Sequence, residues 1–319
     1  MSKVSVALLL CTSLCHGFSI STKRSSLRMD AGEDQHMAFI PHVESLSIPT
    51  LLRQQQRHVV ETSQAGIGMP WAESVVSSQE LTFMPFWEHQ MEFMKNQLTN
   101  LRSVPVTNKA ATMDFSISEG KNVRVANLSF TSSQFRKIRV TYYDAGPQAQ
   151  VFNCLWYPAP EYNLPVLGID LIQFNGGKKH LAVMDFQPVQ ETEDQHASAY
   201  EHLLEPIRDQ YPLLQGKMSA RFYDEKRFFS KQMLFARFDD EAVVESDVWP
   251  AFQQYLGAYM DLIHQTKPDL EGADQVLDRQ RAYDVYSAQR DPALHMFKAK
   301  FGDKWADEFV HEFLFDMCR

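Results

Sequence analysis

Through the middle of the chain, apolar and polar positions fall in short runs separated by turn residues, the pattern of consecutive strands. Residues 123–130 and 135–143 alternate in part, with Ile138, Val140 and Tyr142 set against Arg136, Arg139 and Thr141. Thr131-Ser132-Ser133-Gln134 is the turn between them, and Ala145-Gly146-Pro147 leads into a further strand over 151–157. Asn175-Gly176-Gly177 predicts a tight hairpin joining strands at 166–174 and 180–186. Connections this short join antiparallel neighbours, because parallel pairs need long crossovers.

Outside that block the spacing turns helical. Phe86, Phe93, Met94, Leu98 and Leu101 give an amphipathic helix over 83–101. Further helices are expected over 197–209, more loosely over 211–222, and over 249–263, 276–288, 292–301 and 304–315. Residues 230–238, SKQMLFARF, fit either a strand or a covered helix, and 51–60 fits one short helix. No repeat occurs and no linker interrupts 120–315, so one α/β domain with helices on both faces of a sheet accounts for the pattern.

One strand breaks the apolar rule. In VLGIDLIQF, Asp170 sits in the middle of a run that should be covered, and burial raises the pKa of such a carboxyl. It is either tied into a polar network or kept as a proton donor. Asn153 interrupts the preceding strand in the same way, and an amide beside a carboxyl is a sensible buried pair. A second acid, Asp291 in SAQRDPAL, has an ordinary reading as a helix N-cap followed by proline at N1, which does not exclude a place at a pocket. Asp185, in LAVMDFQP, reads as a turn or backbone-capping acid. Arg237, among the apolar residues of LFARF, either snorkels to solvent or clamps a ligand carboxylate; Arg290 has those options and a third, pairing with Asp291. Arg136, Lys137 and Arg139, with Lys178 and Lys179, either form a basic surface area or are simply charges of a solvated edge.

Composition narrows the classes. With 22% charged and 44% hydrophobic residues in 319, the chain reads as an ordinary globular protein. Residues 4–11 form a short apolar stretch behind Lys3, followed by FSISTKRSSLRM, which is rich in serine and basic residues and free of acids. Residues 1–30 therefore read as a bipartite leader reaching a plastid (a secondary plastid) through the endoplasmic reticulum, with plain secretion as the alternative. Residues 31–75 read as a poorly ordered extension, and 76–319 as the single domain. Removing the leader takes away Lys3, Lys23, Arg24 and Arg28 against Asp30, moving the net charge from −9 to −12. Nucleic acid is an unsuitable partner for such a chain, and the leader's apolar stretch is too short to span a membrane. Outside the leader only Cys154 and Cys318 remain, giving no disulfide framework and no cysteine-held metal or iron–sulfur site. No dinucleotide fingerprint, P-loop, HExxH or G-x-S-x-G occurs in a usable context.

Several segments together resemble a known family. FRKIRV, VFNCLWYP, YNLPVLGIDL, LAVMDFQP, FFSKQMLFARF, YDVYSAQRDP and a final FVHEFLF, in this order over 135–316, are similar to the ferredoxin-dependent bilin reductases. The resemblance implies a three-layer α/β/α sandwich around a central antiparallel sheet, with a linear tetrapyrrole held between the sheet and the C-terminal helices. It implies no bound metal, flavin or nicotinamide, and single electrons from reduced [2Fe-2S] ferredoxin. The family's central catalytic aspartate falls on Asp170, its C-terminal helical aspartate on Asp291, and a propionate-binding arginine on Arg237, with Arg290 as a second candidate. Asn153 stands where phycocyanobilin-forming members keep a histidine, which points toward the phycoerythrobilin pathway. The expected reaction is reduction of biliverdin IXα at C15–C16. The alternatives are reduction of 15,16-dihydrobiliverdin to phycoerythrobilin, or a pigment carrier without catalysis. Asp170 is then the expected proton donor, Asn153 a residue that orients without titrating, and Asp291 a positioning or secondary acid. The basic area is the expected ferredoxin dock, and the next reductase a candidate receiver of the product.

Overall fold

A computed structural model describes residues 74–75, 80–106, 115–118, 122–189, 199–218, 223 and 227–319. The expected leader, the helix over 51–60 and all of the extension except Ser74 and Val75 lie outside the described residues.

The strand pattern builds one eight-stranded sheet. In chain order its strands are β1 (Arg102–Val104), β2 (Phe115–Ser118), β3 (Val123–Thr131), β4 (Phe135–Asp144), β5 (Ala149–Pro158), β6 (Val166–Phe174), β7 (Lys179–Gln187) and β8 (Leu234–Phe238). They lie in the order β1-β3-β4-β5-β6-β7-β8, with β2 also pairing on β3, and every pairing between these strands is antiparallel. At the expected hairpin, Asn175, Gly176 and Gly177 all take positive φ (57°, 67° and 82°), a backbone that only this kind of residue adopts cheaply. The segment 230–238 resolves to the strand reading, with only Leu234–Phe238 in the sheet.

Six helices complete the described chain: α1 (Met84–Gln97), α2 (Glu201–Gln210), α3 (Trp249–Gln265), α4 (Ala273–Ala288), α5 (Ala293–Phe301) and α6 (Asp303–Glu308). A π-helical turn, Val244–Val248, leads into α3, and another, Phe309–Leu314, continues α6. The looser helix expected over 211–222 is not formed in its described part. Only Pro212–Leu214 make a 3-10 turn, after which Gln215 and Gly216 pair with the Phe235 backbone instead.

Strand periodicity divides the apolar residues between two cores. Phe152, Cys154 and Trp156 of β5, with Ile169 and Leu171 of β6, join α1, α2 and α3 in one cluster. Its centre is aromatic: Phe86 lies 4.9 Å from Trp249 and 5.1 Å from Phe252, both edge-on. Leu155, Tyr157 and Val166 join Tyr283 and Tyr286 of α4, Phe297 of α5 and Phe309 and Phe313 beyond α6 in the second. The fold is thus an α/β/α sandwich, as expected.

One irregularity decides the fate of the basic residues on β4. Phe135 pairs with Pro158 and Lys137 with Tyr157, so Arg136 is the extra residue of a β-bulge. The bulge turns Arg136 and Lys137 to the same side, beneath the C-terminal segment. The expected basic surface therefore does not form. Lys137 and Arg139 are 7% and 2% exposed, donating to the carbonyls of Phe313 (2.6 Å) and Leu314 (3.0 Å). Arg136 faces Asp316 at 3.5 Å and Asp284 at 4.0 Å. Of the five, Lys178 is exposed, and Lys179 pairs with Asp239 at 2.8 Å.

Candidate active site

The second face of the sheet is incompletely covered. Val151 and Asn153 of β5, Asp170, Ile172 and Phe174 of β6, and Leu181 and Val183 of β7 are all half-buried, while their neighbours in the strand, turned to the first face, are buried. Among the described residues this leaves a mostly apolar bed with two polar groups at its centre.

Those two groups are paired. Strand register sets Asn153 directly opposite Asp170, and the amide Nδ2 donates to Asp170 Oδ1 at 3.0 Å. Burial pushes the Asp170 carboxyl up to about 6; the nearby Asp291 adds to this, while the Asn153 hydrogen bond and Arg139 hold it down. The carboxyl therefore keeps its proton to a higher pH than an exposed aspartate does.

Asp291 comes from the opposite wall, at the turn between α4 and α5. Its Oδ1 accepts the Ala293 N–H at 2.7 Å, so it does cap the start of α5. Pro292 takes the capping position ahead of Ala293 and is not the first helical residue. Burial raises the Asp291 pKa, opposed by the Ala293 N–H, Arg139 and a hydrogen bond from the Tyr223 hydroxyl. Capping and membership of the site coexist here, and Asp170, Asn153 and Asp291 form one electrostatic group.

The arginines are more peripheral. Arg237 pairs with Leu181, which pairs with Ile172, so it extends the same face two strands over and two residues along from Asp170, a backbone separation of roughly 12 Å. Its side chain is exposed, its guanidinium carbon 5.7 Å from the Phe235 ring. Arg290 stacks on Tyr286, 4.1 Å from the ring centre, and donates to the Tyr286 carbonyl at 3.3 Å. This stacking is a contact that the sequence reading did not offer. Asp185 belongs to the scaffold: fully buried, it accepts the Ser230 N–H at 2.8 Å and the Ser230 hydroxyl at 2.5 Å.

Three groups here escape sequence reading. Arg139 donates through Nη1 to Asn153 Oδ1 at 2.5 Å, and its charge holds down the pKa of both acids. Register with Leu155 sets it on this face, but its partner carbonyl at Leu314 is 175 residues away. Tyr223 lies in a segment without periodicity. Asp284, fully buried, has its carboxyl pushed up to about 6 by burial; it accepts the Tyr157 hydroxyl at 2.8 Å and the Met317 N–H at 3.1 Å, tying the C-terminus to the sheet. Among the described residues no group of three or more His, Cys, Asp or Glu is arranged to hold a metal ion, and no helix is long and apolar enough to cross a membrane.

The site thus sets a carboxyl raised by burial in a half-open, mostly apolar bed of an α/β/α sandwich. The sequence model of the family described as ferredoxin-dependent bilin reductase matches residues 90–316. The chain belongs to that family: it is an oxidoreductase, and ferredoxin is its electron donor. It is 39% identical over 230 residues to the 15,16-dihydrobiliverdin:ferredoxin oxidoreductase of Nostoc punctiforme, a match covering 71% of this chain and 93% of that one. The phycoerythrobilin:ferredoxin oxidoreductase of the same organism is 32% identical over 245 residues, covering 74% and 94%. The solved structure of phytochromobilin synthase from tomato in complex with biliverdin shares the fold, with a TM-score of 0.65 at 22% identity over 74% of this chain and 83% of that one.

Proposed function

We propose that the chain reduces biliverdin IXα at its C15–C16 double bond to 15,16-dihydrobiliverdin, with electrons from a [2Fe-2S] ferredoxin and no bound cofactor of its own. The observation that carries this reading is the Asn153–Asp170 pair at the centre of the half-open apolar bed. The greater identity to the Nostoc 15,16-dihydrobiliverdin:ferredoxin oxidoreductase than to its phycoerythrobilin-named counterpart supports the choice of double bond.

Saturating one double bond takes two electrons and two protons. Ferredoxin delivers single electrons, so each must be matched by a proton before negative charge builds up in an apolar cleft. Asp170 supplies the first: its O–H breaks as a C–H or N–H bond forms on the reduced pigment, leaving a carboxylate that the Asn153 amide stabilises. Asp291 is the secondary acid or a positioning group across the cleft. Arg237 and Arg290 are the candidate partners of the pigment's propionates, the first exposed along the same sheet face and the second at the α4–α5 turn. Residues 1–30 serve as the plastid leader of a protein that works beside the enzyme consuming its product.

Anaerobic incubation with biliverdin and reduced ferredoxin, followed by absorbance and chromatography of the product, tests this. 15,16-Dihydrobiliverdin is the expected product. Phycoerythrobilin from added 15,16-dihydrobiliverdin, with no turnover of biliverdin, would move the chain to the next step of the pathway. A bound pigment whose spectrum never changes would make the chain a carrier.

A further inference from the structure

Arg139 is a full cation with only 2% of its surface exposed, on the same sheet face as the acids. An arginine carries donors and no acceptor. Its Nη1 can therefore meet Asn153 only at the carbonyl Oδ1, which it does at 2.5 Å, while Nε meets the Leu314 carbonyl at 3.0 Å and the guanidinium lies 5.5 Å from the Phe315 ring. That contact settles which way the Asn153 amide points. With Oδ1 taken, the NH₂ must turn to Asp170, where it donates to Oδ1 at 3.0 Å.

The consequence for the acid is directional. An oxygen that accepts an N–H is a poor place for the acid proton, so protonated Asp170 carries its hydrogen on Oδ2. Were the amide reversed, its carbonyl would accept the acid's O–H and draw the proton into the sheet and away from the cleft. We propose that Arg139 is a positioning residue for the reduction. It fixes the orientation of Asn153 so that the transferable proton of Asp170 is held on the oxygen free of the amide, and the C-terminal residues Leu314 and Phe315 hold Arg139 in place. This rests on the reading of Asp170 as donor. During transfer the Oδ2–H bond breaks, a bond to hydrogen forms on the pigment that ferredoxin has reduced by one electron, and the carboxylate left behind faces the Asn153 N–H and the Arg139 charge. The titratable groups around Asp170 are Arg139 from β4, Cys154 from β5, Asp291 before α5 and Tyr223.

The test compares Arg139→Gln, Asn153→Ala, the double variant and Asp170→Asn in the full chain with biliverdin and reduced ferredoxin. Arg139→Gln is expected to keep KM for biliverdin within about twofold and to lower kcat roughly ten- to a hundredfold, as misaligned groups do. Removing the cation also moves the alkaline limb of the kcat profile upward by roughly one pH unit, because the carboxylate loses a stabilising charge. Since Arg139 aligns the donor through Asn153, the double variant should turn over about as fast as Asn153→Ala alone at pH values below the alkaline limb. Arg139→Lys keeps the charge but has one ammonium for two partners; it should give an intermediate kcat, and it carries the same comparison if the glutamine variant does not fold. Multiplicative losses in the double variant, or an unmoved alkaline limb, overturn the positioning role. So does a raised KM with unchanged kcat, which would make Arg139 a pigment-binding group. Asp170→Asn separates the two readings: wild-type turnover there removes the donor, whereas a dead Asp170→Asn beside an unaffected Arg139→Gln removes only the present inference.

Discussion

Replacing Asp170 by asparagine should make the protein slower and more stable at once. The substitution is nearly isosteric, and an asparagine oxygen can still accept the Asn153 amide that now bonds to Asp170 Oδ1 at 3.0 Å. What disappears is the acidic proton and the cost of ionising a carboxyl in this bed. A positioned general acid contributes about 10²–10⁴ in rate, so kcat should fall by that factor, about 3–5 kcal/mol in the barrier. Pigment affinity should stay within about twofold. The stability change follows from the carboxyl being raised from 3.8 to about 6 on folding. For an acid whose folded pKa lies above its unfolded one, the folded state holds the proton longer. The group therefore costs nothing below the unfolded pKa, and the cost grows between about pH 4 and 6 and is complete above that. Two pKa units and a fraction correspond to at most roughly 3 kcal/mol. The variant should therefore melt higher at pH 7.5, by up to roughly 6–10 °C, and the gain should vanish near pH 4. Thermal melts at both pH values and single-turnover absorbance with ferredoxin supply the readings. A variant less stable than wild type at pH 7.5 would show that Asp170 is an ordinary structural carboxylate, and the reasoning from its burial would fail.

Other substitutions test the proposed pigment contact against the scaffold. Arg237→Ala removes an exposed side chain, so the melting temperature should hardly move, a change within about 0.5 kcal/mol, while biliverdin affinity measured by absorbance titration should weaken; unchanged affinity removes Arg237 from the site. Asp185→Ala strands the Ser230 N–H and hydroxyl in a buried place, which should cost about 1–3 kcal/mol in urea unfolding and leave KM for biliverdin unaltered. Phe297→Ala empties the centre of the cluster made by Tyr143, Trp305 and Phe309, at 5.6, 5.3 and 4.4 Å. A loss of about 3–5 kcal/mol is expected, and a loss under 1 kcal/mol would mean that α5 is not held through this ring.

The strands that carry the site were legible because both of their signals are local. Period-two alternation gave β5 and β6 their faces, and Asn-Gly-Gly gave the turn into β7, whose positive φ values need those residues. From these alone Asn153 and Asp170 could be set side by side, and the register bears that out. β1 escaped notice because its three residues are all exposed and carry no apolar face to read. The basic cluster on β4 was misjudged because the groups that make burial of Lys137 and Arg139 tolerable are backbone carbonyls, which no side-chain pattern announces. Burial of Lys137 does depress its ammonium to about 8, against the pull of Asp316.

The two acids of the cleft differ in how firmly each is held, and that difference follows from the fold. Asp170 sits in a strand laddered on both sides, opposite Asn153 in β5 and Val183 in β7, so moving its backbone means breaking sheet hydrogen bonds. Behind it the other face is sealed by residues such as Phe152, Leu171 and Phe252, each essentially without exposed surface. Asp291 is held by one backbone N–H two residues away and one tyrosine hydroxyl, on a turn between helices. On the proposed reading, a pigment entering the bed would meet one acid whose position the sheet fixes and a second carried on the α4–α5 turn. The proposed reduction at one double bond would use the first as its donor. Serving as a secondary acid or steadying a pigment as its charge changes suits the second, and the half-open face of the sheet is where both can reach the same molecule.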